Sequence, residues 1–188
     1  MPLYIVLRFL IILDAAFIAG TVTLGIALGD AESILRHYVA GLLTCIFTCL
    51  LHVLVLFYFI GTGKDIREAV EKDPALREEY VPWTRAQKNK VFPAATLAII
   101  LIIVATLMGG EVHSRILAYN GGAILPLRAV PAWWVHLLLV LGAIVVNAYA
   151  FLVEVAAVRE NRRGIEDLNL RLSLDPAETR PPERKALQ

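Results

Sequence analysis

The run Leu97-Ala98-Ile99-Ile100-Leu101-Ile102-Ile103-Val104 holds no polar residue. A membrane strand would alternate apolar and polar side chains over about ten positions, so this run is not one. A helix satisfies its own backbone N–H and C=O groups, as hydrocarbon requires. The run lies inside a longer apolar block, Val91–Met108, and three further blocks accompany it: Leu3–Leu28, Tyr38–Ile60 and Val130–Val158. Each is about the 18 to 25 residues that cross a ~30 Å hydrocarbon core. The chain has 188 residues, is 58% hydrophobic, and places its charges between and after the blocks. Four such helices leave too little polar surface for a soluble domain. The reading is an all-α integral membrane protein, a four-transmembrane-helix up-down bundle with helices at about 3–28, 37–61, 91–110 and 131–158.

The first block reads as an anchor rather than a cleaved leader, because no small-residue cleavage site follows its long apolar run. The segment after the second helix carries Lys64, Arg67, Lys72, Arg77, Arg85, Lys88 and Lys90, and the tail carries Arg159, Arg162, Arg163, Arg171, Arg180, Arg184 and Lys185. The other connections hold only Arg36, Arg115 and Arg128. Basic residues in short loops mark the cytoplasmic side, which places both termini inside, in a plasma membrane of bacterial inner type. Between Lys64 and Lys90 the charges suggest short amphipathic cytoplasmic helices, with a break near Pro74 and Pro82-Trp83 at the membrane interface. Pro131, Trp133 and Trp134 anchor the outer end of the fourth helix, which continues into the cytoplasm to about residue 172. Residues 1–172 form one domain, and 173–188 form a polar, disordered tail.

Several chemistries are excluded. Gly61-Thr62-Gly63-Lys64 lacks the upstream glycine, the Ser/Thr and the preceding strand of a phosphate-binding loop. No basic face suggests nucleic acid. Cys45 and Cys49, four apart on one helix, cannot form an extracellular disulfide framework.

The informative residues are the polar ones inside the membrane, where a charge costs ~2.5 kcal/mol or more and normally faces protein. These are Asp14, His52, Asn147 and Glu154, with His37, His113 and His136 near the outer surface. At ~1.5 Å per residue, Asp14, His52 and Asn147 all lie roughly 14–16 Å from the cytoplasmic edge. They form a polar layer in which each meets the others' hydrogen-bonding needs. Glu154 lies lower, with Arg8 as its expected partner. Helical periodicity puts His37, Gly41, Thr44, Cys45, Thr48 and His52 on one side of the second helix. It likewise aligns His136, Asn147 and Glu154 on the fourth. The third helix offers Thr96 and Thr106 and reads as a packing or lipid-facing member.

Two imidazoles at one level on facing helices are what a b-type haem needs, and His37 and His136 meet that requirement, with His113 as a substitute ligand. His37 and His52 are fifteen residues apart on one helix. That spacing resembles the two-haem helices of the cytochrome b family. The resemblance covers this one helix, and the fourth helix has no second histidine below His136 for a haem at His52. It implies a haem- or quinone-linked redox role. A carboxylate–imidazole chain through Asp14, His52, Asn147 and Glu154 suits a proton relay or ion transport. Cys45, Cys49 and His52, at i, i+4 and i+7, suit copper(I). The broadest expectation is a small accessory or electron-transfer subunit of a larger membrane complex, or a homo-oligomer, rather than a stand-alone enzyme.

Overall fold

The computed structural model describes residues 3–118 and 133–174. Pro131 and the expected disordered tail from residue 175 onward lie outside these residues. Among them the chain is helical and without strands: α1 Leu3–Ile26, α2 Ala31–Ala69, α3 Pro74–Ala118 and α4 Trp133–Ser173. All four are long and apolar enough to cross a membrane.

The distribution of side chains explains how such helices coexist. Phe9, Ile12, Leu107, Val145 and Leu152 are each at least 64% exposed, forming an apolar exterior suited to a bilayer. The interior is filled by small and polar residues. Ala95, Ala98, Ala143 and Ala150 are wholly buried, and so are Asp14, Thr48, His52 and Glu154. Without a hydrophobic force between helices in lipid, close backbone approach and interhelical hydrogen bonds hold them together.

Helix ends follow local chemistry. Asp30 caps α2, accepting a hydrogen bond from the Ser33 backbone N–H at 2.7 Å, while the Ser33 hydroxyl contacts the Asp30 backbone N at 3.0 Å. That N–H holds the Asp30 carboxyl below its ordinary value, so the ionised cap persists until pH falls through that lowered value. Asp73 takes the same role for α3, accepting from Ala75 N at 3.0 Å and Leu76 N at 3.1 Å, with Pro74 opening the helix.

The charged segment differs from the sequence expectation. It contains no separate amphipathic helices. α2 runs on to Ala69, turns within residues 70–73, and α3 starts at Pro74 and continues into its apolar part. The reason lies in composition: Glu, Lys and Arg propagate a helix beyond the membrane edge as readily as Leu does. Pro82 and Pro93 lie inside α3. Trp83, half-buried, packs against Gly164 of α4, and a Cβ at Gly164 would collide with its ring. Ile66, Val70, Tyr80 and Leu168 form the small core of this extension. The Tyr80 hydroxyl donates to Asp167, and Arg171 donates to Glu79 at 2.8 Å.

Candidate functional site

Two polar features are built into the apolar bundle. The first is a cavity of about 360 Å³ at the end where α2 begins and α3 ends. Its walls are mostly aliphatic, with His37, His113 and His136 among them. His37 and His136 are held in the same way on different helix pairs. The His37 Nδ1 lies 2.9 Å from the carbonyl of Thr21, and the His136 Nδ1 lies 3.1 Å from that of Ala105. In each case a glycine four residues beyond that carbonyl lies under the ring. A Cβ at Gly25 would come within 2.7 Å of His37 Cε1, and one at Gly109 within 2.7 Å of His136 Cε1. A carbonyl can only accept, so Nδ1 carries the hydrogen and Nε2 keeps its lone pair. His113 neighbours both, edge-on to His37 at 4.9 Å and to His136 at 5.9 Å between ring centroids. Its Nδ1 is buried without a hydrogen-bond partner.

The second feature is the polar layer in the bundle interior. His52 Nε2 is 2.8 Å from Asn147 Oδ1, and His52 Nδ1 is 2.7 Å from Glu154 Oε1. The His52 ring stacks on Phe151 at 4.5 Å. Asp14 Oδ1 is 2.7 Å from the Thr48 hydroxyl, one turn along α2. All these groups except Phe151 are at most 1% exposed.

The expected residues therefore meet, with altered pairings. Asp14 bonds Thr48 rather than His52. Glu154 pairs with His52 rather than Arg8, whose exposed guanidinium lies over the Tyr4 ring at 5.8 Å. Arg8 follows lipid and surface, while Glu154 faces inward, so the two do not meet. The third helix is no mere packing member: His113, Thr106 and Gly109 all line the cavity, although Thr96 is exposed. Cys45 and Cys49 are free thiols. Both nitrogens of His52 are engaged by Glu154 and Asn147, so the Cys45–Cys49–His52 face does not offer three free donors. Among the described residues no three His, Cys, Asp or Glu side chains converge to hold an ion unaided.

Sequence reasoning missed Gly25 and Gly109, whose only signal is a glycine within an apolar helix at the depth of a histidine. It also missed Asn161, which donates to the Tyr58 hydroxyl at 3.0 Å and the Thr62 hydroxyl at 3.1 Å.

Fold and site together define a multi-pass, all-α membrane protein with a histidine-lined apolar cavity at one end and a buried polar layer within. Compared with family models, curated proteins and solved structures, the chain matches none of them.

Proposed function

We propose that this protein is a small electron-transfer subunit of a larger membrane complex, an up-down bundle with both termini cytoplasmic, which binds b-type haem between His37 and His136. The observation that carries this reading is the matched anchoring of the two imidazoles. A metal-ligating histidine typically donates its other ring N–H to a carbonyl or carboxylate, which fixes tautomer and orientation. His37 and His136 each have that bond and a free Nε2, on separate helix pairs, at one apolar cavity. A haem would bring four nitrogens of its own, so two protein donors would suffice where a bare ion would need more.

His113 lacks the anchoring bond and would neighbour the bound group rather than hold it. Its buried, unpartnered Nδ1 suits a hydrogen bond to a polar edge of the bound group. Arg36 and Arg115 stand near this end, each joined to a glutamate one turn away, and would have to exchange that partner to pair with an acidic edge of the bound group. Bound haem would provide one-electron chemistry; the protein positions it and keeps water away with aliphatic walls.

The test is a pyridine-haemochrome spectrum of the protein purified after haem-replete expression. A b-type signal is expected, lost in His37→Ala and in His136→Ala and retained in His113→Ala. A wild-type preparation without haem overturns the reading.

A further inference from the structure

The polar layer can be read for its protons by counting hydrogens. The Asn147 amide nitrogen donates to the Ala143 carbonyl at 2.7 Å, so the Oδ1 facing His52 must accept and His52 Nε2 must carry a hydrogen. His52 Nδ1 and Glu154 Oε1, 2.7 Å apart, would present two lone pairs unless one hydrogen lies between them. The His52–Glu154 pair thus holds one proton and is neutral as a pair, whichever atom carries it. Thr48 has a single hydroxyl hydrogen but two oxygen neighbours, Asp14 Oδ1 at 2.7 Å and the Thr44 carbonyl at 2.9 Å. An ionised Asp14 would take that hydrogen and leave the Thr44 contact empty. A protonated Asp14 donates to Thr48, which then donates to Thr44, and both contacts are satisfied.

Asp14 Oδ2 and Glu154 Oε2 are buried without partners, in side chains with no exposure. As the carbonyl oxygen of a neutral acid, such an atom is tolerable. As half of an ionised carboxylate, the same position would be a poorly compensated buried charge. The surroundings provide no counter-charge for Asp14 beyond the layer. From α2 Thr48 bonds it, and Cys49 and His52 stand near it, the latter held in turn by Asn147 and Glu154 of α4. α3 brings Ala94 and Ala98, which pack on Ala150, and Arg8 of its own helix is exposed.

The layer adjoins the histidine cavity at Thr44, whose backbone carbonyl accepts from the Thr48 hydroxyl. Thr44 contacts Thr21 hydroxyl to hydroxyl at 2.8 Å, and both residues line the histidine cavity. Toward the charged end, Leu7, Val55, Phe59, Ala157 and Val158 close into an apolar cluster between Glu154 and the Asn161–Tyr58–Thr62 group. Its buried members carry no side-chain donor or acceptor, and Tyr4 and Tyr58 pack at its outer margin beside a second cavity lined by Val158 and Arg162.

We propose that Asp14 is a neutral carboxylic acid and that Asp14 with the His52–Glu154 pair forms a two-proton binding site, which exchanges with the histidine cavity and is sealed from the charged end. The site goes beyond haem binding and does not depend on what fills the cavity. Infrared spectra of the full-length protein in lipid, at neutral pH in H₂O and D₂O, test it. A protonated-carboxyl C=O band that shifts in D₂O is expected, with intensity lost in Asp14→Asn. Absence of the band, or its full retention in Asp14→Asn, overturns the assignment. Should Asp14→Asn fail to fold, Thr48→Val must move the band to higher frequency, and an unmoved band is equally fatal. Thr44→Val is expected to slow the hydrogen–deuterium exchange of the band several-fold; an unchanged rate overturns the cavity-side route.

Discussion

His52 sits between two residues of α4 that are seven positions apart, Asn147 and Glu154, and bonds both. Removing the ring as His52→Ala leaves Asn147 Oδ1 and Glu154 Oε1 buried without their donor, at a cost of about 2 kcal/mol or more. Glu154→Gln is different. The pair is neutral already, and a glutamine amide can donate to His52 Nδ1 as a carboxylic acid does. Its cost is about 1 kcal/mol or less, in the range of single interhelical hydrogen bonds in membranes. Thermal melting in detergent should therefore place Glu154→Gln well above His52→Ala, and the reverse order would sink the neutral-pair description. Counting residues put Asp14, His52 and Asn147 at one depth from sequence alone, because helical rise is constant. The pairings were not legible, because depth counting follows backbones and ignores side-chain length. A glutamate spans a helical turn, so Glu154 rises to His52 from below.

At the scale of elements, the sequence located the spans and the continuation of α4, expected to about residue 172 and found to Ser173, but not the length of α2 beyond residue 61 or of α3 before residue 91. Hydropathy ends at the membrane edge, whereas the backbone continues helically through Glu, Lys and Arg to Ala69 and Ser173. The pairing of Gly25 with His37, and of Gly109 with His136, could not be read along the chain, because each joins two helices. That pairing has a measurable consequence. A methyl at Gly109 would stand 2.7 Å from His136 Cε1, too close for the ring to keep its bond to the Ala105 carbonyl. By contrast, a Cβ at Gly142, within α4, meets nothing within 4 Å. Haem occupancy, read as the ratio of haem to protein absorbance, should fall at least several-fold in Gly109→Ala and stay unchanged in Gly142→Ala. Equal occupancy in both variants would show that the glycine seat does not position the ligand.

For the whole molecule, the outcome depends on which end of the bundle meets which compartment. Fourteen basic residues lie from Lys64 to Lys90 or from Arg159 onward, against three in the other connections. The helices place the cavity at the opposite end from these charges, near the α1–α2 connection, while the apolar cluster of Leu7, Val55 and Phe59 lies toward them. If the basic end is cytoplasmic, the cavity opens outward and the two-proton site exchanges with the outer side alone. Such an arrangement suits taking up or releasing protons on one face, and it does not suit carrying them across. Orientation can be measured directly in intact cells. In a background with Cys45→Ala and Cys49→Ala, a membrane-impermeant maleimide should label Ala27→Cys at once, because residue 27 is exposed just after α1. Lys72→Cys, in the turn between α2 and α3, should react only after the membrane is opened. The opposite pattern would invert the protein and turn the cavity toward the cytoplasm. The proton site would then exchange with the inner side, its one-sidedness intact, because that property rests on the apolar cluster and not on the orientation.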